Sequence, residues 1–541
     1  MSGDAVRLAT TAAVPAAFLA TRSPAREMPA RTWVYRHVSG AIVEGWLWPG
    51  LRLPSARALS GAWGVARGAV DEALMRLAHE GLVERRVGRG SFVARRLPPG
   101  LVREVSGRAA LARAAGETLD GLAPLLRISR TAVQREAEAR QAPLPAPPPM
   151  LDGRVSDTAL FPLAAWRRCM AAAHAEADRA SLCYGPPTGW PALRAATARH
   201  LALTRGLDCQ PEQVLILNGP LQTLDLVVRV LLEPGDRVVV ECPGYLSMAR
   251  NLGLPPLDLH GMPVDDDGLD IETARRECPT PALINVQPLH QFPTGARLSP
   301  VRRAALMEWA LACRAWVVEG DHLGEIVHDG AVPPTLLGAG PHARADDERN
   351  TVLFLGSFNG VMFPALRLSY LVVPRRLVPA FTAVRGLFGD HPPLAPQQAL
   401  ARFIDEGHLS AHLRRMREVY RRRRDAALAA AARHLPSEVR VGPLTGGTHG
   451  CLHLPAGCAD ETLAERLAAA GFGIEMLSSY SWPRQGTGGL VFGYGADDEA
   501  RIEAGMRLLG SHLRDALAGR CAGRFIGRGS SRSALREGVI R

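Results

Sequence analysis

The chain has 541 residues, 47% of them hydrophobic and 22% charged, which excludes both a single small core and a disordered polymer and sets two or three domains as the expectation. Its formal net charge is +11, a balance that fits a nucleic-acid partner and equally fits a genome favouring Arg, Ala, Gly and Pro. All 64 basic residues are arginine; guanidinium stays protonated and forms no imine with an aldehyde, so no side chain here can make an internal Schiff base.

The 9 cysteines are odd in number and scattered without a CxxC pair. That pattern argues against a disulfide framework and a zinc site and places the chain in a reducing, cytoplasmic setting. The apolar run "AAVPAAFLA" (Ala12–Ala20) is broken by Pro15 and too short to span a bilayer. Residues 1–30 read as a disordered arm, or as an over-extended start with Met28 the initiator.

Residues 31–97 are compact and amphipathic, with 11 Arg against 5 acids. Ser55 is placed to cap a helix running to about Trp63, and Gly64–Val65 supplies a tight turn. The following helix carries Val70, Ala73, Leu74 and Leu77 on one face, which is helix-turn-helix spacing. Two short strands, "GLVERR" and "SFVA", joined by "VGRG", read as a wing. Residues 98–155 are a linker, proline-rich at 142–149 and expected to be extended there.

From 156 onward, continuous apolar runs alternate with helical stretches. The runs are Val214–Leu217, Arg237–Glu241, Ala282–Val286, Ala315–Glu319, Thr351–Leu355 and Leu368–Val373. Unbroken hydrophobicity means that both faces are covered, as in parallel strands between helical layers. An α/β domain with a smaller α+β lobe at about 400–515 follows, and residues 516–541 read as a basic, disordered tail. The arginine-rich stretch His412–Ala427 reads as a solvated helix face. His290, His322 and His328 lack metal-ligand spacing, so no metal site is expected, and they read as satisfied polar histidines.

Residues 31–97 resemble the winged helix-turn-helix of GntR-type bacterial regulators. The resemblance implies double-stranded DNA as partner, with contacts from Arg57, Arg67 and the wing residues Gly88, Arg89 and Gly90. Two departures stand out: Ala66 replaces a capping Ser or Thr, and Gly68 and Ala69 replace polar residues. Residues 156–515 resemble fold-type-I, class-I aminotransferases through five stretches taken in order. These are "YGPPTGWPALR" (Tyr184–Arg194), "NGPLQTLDL" (Asn218–Leu226), "ECPGY" (Glu241–Tyr245), "PLHQFPTG" (Pro288–Gly295) and "VEGDH" (Val318–His322). A sixth, "LGSFNGVMFPALRLSY" (Leu355–Tyr370), matches the segment that carries the family's cofactor lysine. Together the two regions look like a MocR-type regulator, a multidomain chain with a mostly α winged helix joined to an α/β aminotransferase-like domain.

The same comparison implies a lost chemistry. The family's pyridoxal phosphate needs an amine for its aldehyde, a carboxylate for its ring nitrogen and donors around its phosphate. Gly360 stands at the amine, Gly320 at the carboxylate and His322 at the phenol that meets the ring oxygen. Asp321, one residue along a strand, is expected to face the other way. Pro220 and Leu221 alter the phosphate cup, and Val491 stands where an arginine often binds substrate carboxylate. Tyr245, Ser357 and Arg367 match the ring-stacking, hydroxyl and phosphate positions, so any pyridoxal phosphate would bind only non-covalently. The reading is a cytoplasmic, homodimeric transcription regulator with a catalytically inactive aminotransferase-like domain and an unknown small-molecule effector. An active aminotransferase and a non-functional relic of such a regulator are the alternatives.

Overall fold

The computed structural model describes residues 18–19, 28–43, 47–86, 89–95, 149–153, 156–245, 257–338, 350–389, 391–456, 458, 460–481 and 488–522. The chain divides into two compact units, residues 1–143 and 144–541. Gly88, most of the 98–155 linker and residues 523–541 lie outside the described residues.

In the N-terminal unit, α1 (Ala30–Val43), α2 (Ala56–Trp63) and α3 (Arg67–His79) are followed by an antiparallel hairpin of β1 (Val83–Arg86) and β2 (Gly90–Val93). Helix α2 starts where Ser55 Oγ accepts the Ala58 N–H at 3.2 Å and stops where Gly64 takes φ 69°. Such a cap contributes about 0.5–2 kcal/mol. Helix α3 buries Val70, Ala73, Leu74 and Leu77, as its spacing predicts, and its N-cap Ala66 makes no side-chain bond. The expectation of a disordered arm over residues 1–30 needs correction at one place. Phe18 and Leu19 are helical, and Phe18 is buried, stacked on His37 at 4.8 Å and edge-on to Trp63 at 5.3 Å. Trp33, His37 and Trp63 form an aromatic surface that α1 and α2 leave open, and Phe18 covers it.

The C-terminal unit holds helices α4 (Leu163–Ala175) and α5 (Pro191–Arg205), then strand β3 (Val214–Leu217), α6 (Pro220–Leu231) and β4 (Arg237–Cys242). Next come β5 (Asp258–Asp265), β6 (Gly268–Leu269), α7 (Ile271–Glu277), β7 (Leu283–Val286), α8 (Pro300–Cys313) and β8 (Trp316–Asp321). Then follow β9 (Val352–Ser357), β10 (Ser369–Val372), α9 (Val378–Leu387), α10 (Leu394–Asp405) and α11 (His408–His434). A last group comprises β11 (Arg440–Val441), β12 (His449–His453), α12 (Asp460–Ala469), β13 (Glu475–Met476), β14 (Gly489–Gly493) and α13 (Glu499–Ala522).

Eight strands form one sheet in the order β3-β10-β9-β8-β7-β4-β5-β6. Its continuous apolar runs divide between two layers because successive side chains point to opposite faces. Val214 and Ile216 enter one core with Phe354 and Tyr370, while Leu215 and Leu217 enter the other with Leu353 and Leu371. Strands β5, β4, β7, β8 and β9 are parallel, as expected. Strand β10 departs from that expectation and is antiparallel to both neighbours. The 358–368 connection holds only a 3-10 turn at Pro364–Leu366, too short for the helical crossover that a parallel return requires. Strand β5, between β4 and the two-residue edge strand β6, escapes sequence reasoning because its half-exposed residues lack an apolar run.

The domain boundaries also shift. Leu151 is fully buried and its N–H donates to Asp497 Oδ2 at 2.7 Å, so residues 149–153 belong to the smaller lobe and not to the linker. The lobe does not begin near 400, because α10 packs on α4 and α5. Instead α11 spans both regions, with Leu409 to Tyr420 in the main core and Ala427 and Ala430 in the core of the lobe. Helix α13 runs to Ala522, so residues 516–522 are helical and not tail. Within α11 the arginine run is not wholly solvated: Arg423 and Arg424 are buried, Arg423 on Asp157 at 2.8 Å and Arg424 on Asp329.

Candidate functional site

A cavity of about 490 Å³ opens at the C-terminal ends of the parallel strands, where α/β sheets place their ligands. Strand β8 and the residue after it deliver Gly320 and His322 to it, β9 and the turn after it deliver Ser357 and Gly360, and the segment after β4 delivers Tyr245. The smaller lobe adds Thr448, His449, Glu475 and Tyr480. The sequence comparison missed these four, since they lie far along the chain from the cofactor motifs and only the folded lobe brings them in.

The two glycines are closely covered. A Cβ on Gly360 would lie 2.9 Å from Leu323 Cδ2 and 3.0 Å from the His322 carbonyl oxygen. A side chain there would require Leu323 and the His322 carbonyl to give way slightly, and the Gly360 carbonyl accepts the Ser156 hydroxyl at 2.7 Å. A Cβ on Gly320 would lie 3.2 Å from Gln287 Cγ and 3.7 Å from His322 Nε2, so the imidazole stands beside the position at which the family's carboxylate would begin. Asp321 does turn away: it is buried, with Oδ2 2.8 Å from Arg205 Nε, though not in hydrogen-bond geometry. Burial pushes the Asp321 carboxyl up, and the adjacent guanidinium opposes that shift. Val491 is buried beside Cys451 and Leu477 and does not line the cavity.

At the other end, Ser357 is buried and its Oγ accepts the Asn359 N–H at 3.2 Å. Arg367 is exposed, adopts φ 53°, and reaches over Gly219, where a Cβ would stand only 3.0 Å from Nη2. It thus meets the start of α6, whose first residue, Pro220, has no N–H to offer. Tyr245 is half-exposed, 6.3 Å from the His322 ring and edge-on to Phe292 at 6.1 Å.

The histidines differ from expectation. His328 places Nε2 on the Gly447 carbonyl at 2.9 Å, although its Nδ1 is buried without a partner. By contrast, both ring nitrogens of His290 and Nε2 of His449 are buried without a hydrogen-bond partner. Burial, aided by Arg297, drives His290 down to about 3, and burial alone drives His322 and His449 to about 4. All three imidazoles line the cavity and are neutral at physiological pH. Among the described residues, Cys169, Glu406 and His408 are the one group close enough to share an ion, and none of them lines this cavity.

In the N-terminal unit, Arg57 is exposed on the first turn of α2 and Arg67 is exposed at the start of α3. Arg67 Nε stands 3.6 Å from Asp71 Oδ2, and the same carboxylate takes Arg85 at 3.1 Å, so Asp71 is shared at the surface. In the hairpin, the Arg89 N–H donates to the Arg86 carbonyl at 3.0 Å, and Gly90 takes φ 99°. Arg52, absent from the sequence reading, bridges to Phe92 and lies against Gly90, which adds a cation beside the wing.

The family description "Bacterial regulatory proteins, gntR family" matches residues 31–93, and "Aminotransferase class I and II" matches residues 155–471. The probable rhizopine catabolism regulatory protein MocR of Rhizobium meliloti is 31% identical over 489 residues, covering 90% of this chain and 94% of that one. This chain belongs to the MocR-type transcription regulators. A second such protein, the HTH-type pyridoxine biosynthesis transcriptional regulator PdxR of Corynebacterium glutamicum, is 30% identical, covering 86% of this chain and 92% of its own. Among solved structures, LysN, an α-aminoadipate aminotransferase from Thermus thermophilus, superposes with TM-score 0.62 at 28% identity. It covers 68% of this chain and 92% of its own, and was crystallised with N-(5'-phosphopyridoxyl)-L-leucine. Pyridoxal phosphate is the group the aminotransferase fold implies. The residues present here do not fit its covalent attachment, because Gly360 faces the cavity with no amine to offer and no lysine exists elsewhere in the chain.

Proposed function

We propose that this MocR-type regulator binds double-stranded DNA in the cytoplasm as a homodimer through Arg57, Arg67 and the wing residues Gly88, Arg89 and Gly90. Its aminotransferase-like domain does not transaminate and responds to an effector held without a covalent bond. The observation that carries the inactive reading is the absence of any lysine, with glycine at 360, joined to the missing carboxylate at Gly320. Dimerisation of the C-terminal unit gives two weak winged helices a high effective concentration on paired half-sites. The exposed arginines of α2, α3 and the hairpin support the DNA reading. Among the described residues no helix is long and apolar enough to cross a membrane, which is compatible with the cytoplasmic assignment.

Two measurements on the full-length protein test this. Selection from a genomic fragment library is expected to enrich discrete fragments, and no enrichment would favour the relic. Incubation with pyridoxal phosphate, borohydride reduction and peptide mapping are expected to place no adduct within residues 355–370. An adduct there would remove the inactive reading while leaving the DNA reading untouched.

A further inference from the structure

Helix α4 and the junction of α10 with α11 bring together a thiol, a carboxylate and an imidazole, away from the cavity at the strand ends. Cys169 sits in the middle of α4 and is 1% exposed. Glu406 is exposed and His408 half-buried on either side of Gly407, which takes φ 77° and turns the chain from α10 into α11. Glu406 Oε2 stands 4.0 Å from Cys169 Sγ and 3.2 Å from His408 Nε2, and all three ligand atoms lie within 4.8 Å of one another. Around a tetrahedral zinc ion, bonds of about 2.0–2.3 Å separate neighbouring ligand atoms by about 3.3–3.6 Å, so the trio needs only small side-chain shifts. The other oxygen of Glu406, Oε1, faces Arg402 Nη1 at 3.6 Å, and Arg402 Nη2 donates to both oxygens of Glu176 at 2.6 Å. Glu406 is thereby oriented from behind, as the carboxylate ligands of metal sites are. The surroundings favour a cation. A second cavity, of about 550 Å³, opens beside Glu406, and among the described residues that line it Glu176, Asp178, Asp405 and Glu406 stand against one arginine, Arg402. This acidic patch lies in a chain whose net charge is +11, and the cavity leaves room for a water at a fourth metal position.

We propose that Cys169, Glu406 and His408 bind a zinc ion, with the fourth position open to this second cavity. Thiolate, imidazole and carboxylate together suit zinc and are a poor set for magnesium or calcium, which take oxygen ligands. On binding, the Cys169 S–H bond gives way to an S–Zn bond and the proton passes to water. The ion joins the middle of α4 to the first turn of α11, the helix that runs from the main core into the core of the smaller lobe. It thus fixes the start of the helix that connects the two cores. The site is independent of the effector reading above. Sequence spacing does not show it, because Cys169 and Glu406 are 237 positions apart.

The test is titration of the reduced full-length protein with cobalt(II), followed by competition with zinc. One equivalent of cobalt is expected to give a thiolate-to-metal charge-transfer band in the near ultraviolet, which zinc then removes. His408→Gln and Glu406→Gln, at positions outside the core, are each expected to weaken cobalt binding by about tenfold or more. Cys169→Ser is expected to abolish the band, and Cys313→Ser, at the end of α8, to leave it unchanged. Zinc is also expected to raise the melting temperature of the wild type and not that of His408→Gln, a readout that stands even where Cys169→Ser does not fold. No charge-transfer band with the wild type overturns the proposal. So does a band whose strength and affinity survive in both His408→Gln and Glu406→Gln, or a rise in melting temperature that magnesium gives as well as zinc.

Discussion

In the N-terminal unit, Arg57, Arg67 and Arg89 sit on three short elements whose ends are set by a side-chain cap, a left-handed glycine and a hairpin turn. In the C-terminal unit, an eight-stranded sheet with two apolar layers surrounds a cavity whose reactive positions are glycine. The first unit presents its chemistry on exposed side chains that contribute little to its core. The second keeps a frame held by dozens of buried apolar residues, each worth roughly 1.5–3 kcal/mol, so the removal of a few polar groups from the cavity leaves the fold intact. A frame rests on many small terms and a reaction on a handful of groups, so the loss of chemistry proposed above need not disturb the fold.

The most demanding challenge to this contrast is to restore one missing group. Gly360→Lys is expected to give no measurable amino-acid half-reaction, since Gly320 leaves the ring nitrogen without its carboxylate and His322 stands in place of the phenol that meets the ring oxygen. Turnover by stopped-flow absorbance would show that the frame retained more chemistry than these contacts allow.

Next in size is Arg67→Ala. Where Arg67 reads a base bidentately, the loss is about 1–3 kcal/mol with relaxed preference at one base pair per half-site. Where it touches phosphate, the loss is uniform across sequences and the salt slope falls by about one unit. Titrations of an enriched fragment at two salt concentrations separate these outcomes. The contrasting Arg367→Gln variant is expected to leave ligand-free DNA affinity within about threefold, because Arg367 belongs to the other unit's cavity.

A pH test probes the C-terminal frame. Burial raises the Glu241 carboxyl to about 8, against the opposing pull of the Gln287 N–H and the Gln291 amide. A folded value above the unfolded one means that the folded state binds the extra proton. The contribution is therefore complete below the ordinary carboxylate range and is lost as pH rises through about 8. Glu241→Gln, which mimics the protonated form, is expected to flatten the fall in urea-melt stability between about pH 5 and 8 by at least about 1 kcal/mol. An unchanged slope would place the titration elsewhere.

The smallest expected effect concerns the N-terminal unit alone. Ala66→Ser supplies the N-cap that α3 lacks and is expected to add about 0.5–1 kcal/mol, a rise of a few degrees in that unit's melting temperature.

Much of the winged helix was legible in the sequence because its signals are local. Ser55, Gly64 and the spacing of Val70, Ala73, Leu74 and Leu77 act within one or two turns, and the structure places each as read. The central strands were legible for a related reason, since a strand covered on both faces must be apolar at every position. Strand β5 was hidden because its mostly half-exposed residues leave no such run. Phe18 was hidden because its value lies in an aromatic surface made by residues of α1 and α2.

The two-part architecture, the absence of any lysine and the identity of the residues at 320, 322 and 360 are properties of the chain before it folds. That Leu323 lies against Gly360, that Asp321 faces Arg205, and that His449 and Tyr480 join the cavity wall are visible only in three dimensions. The same is true of Arg423 and Arg424, buried arginines that serve ion pairs instead of a solvated face. Caps, turns and apolar periodicity are set by neighbours a few residues away. The direction and partners of a cavity side chain are set by packing among elements far apart along the chain, and that packing exists only once the sheet and the lobe have closed around it.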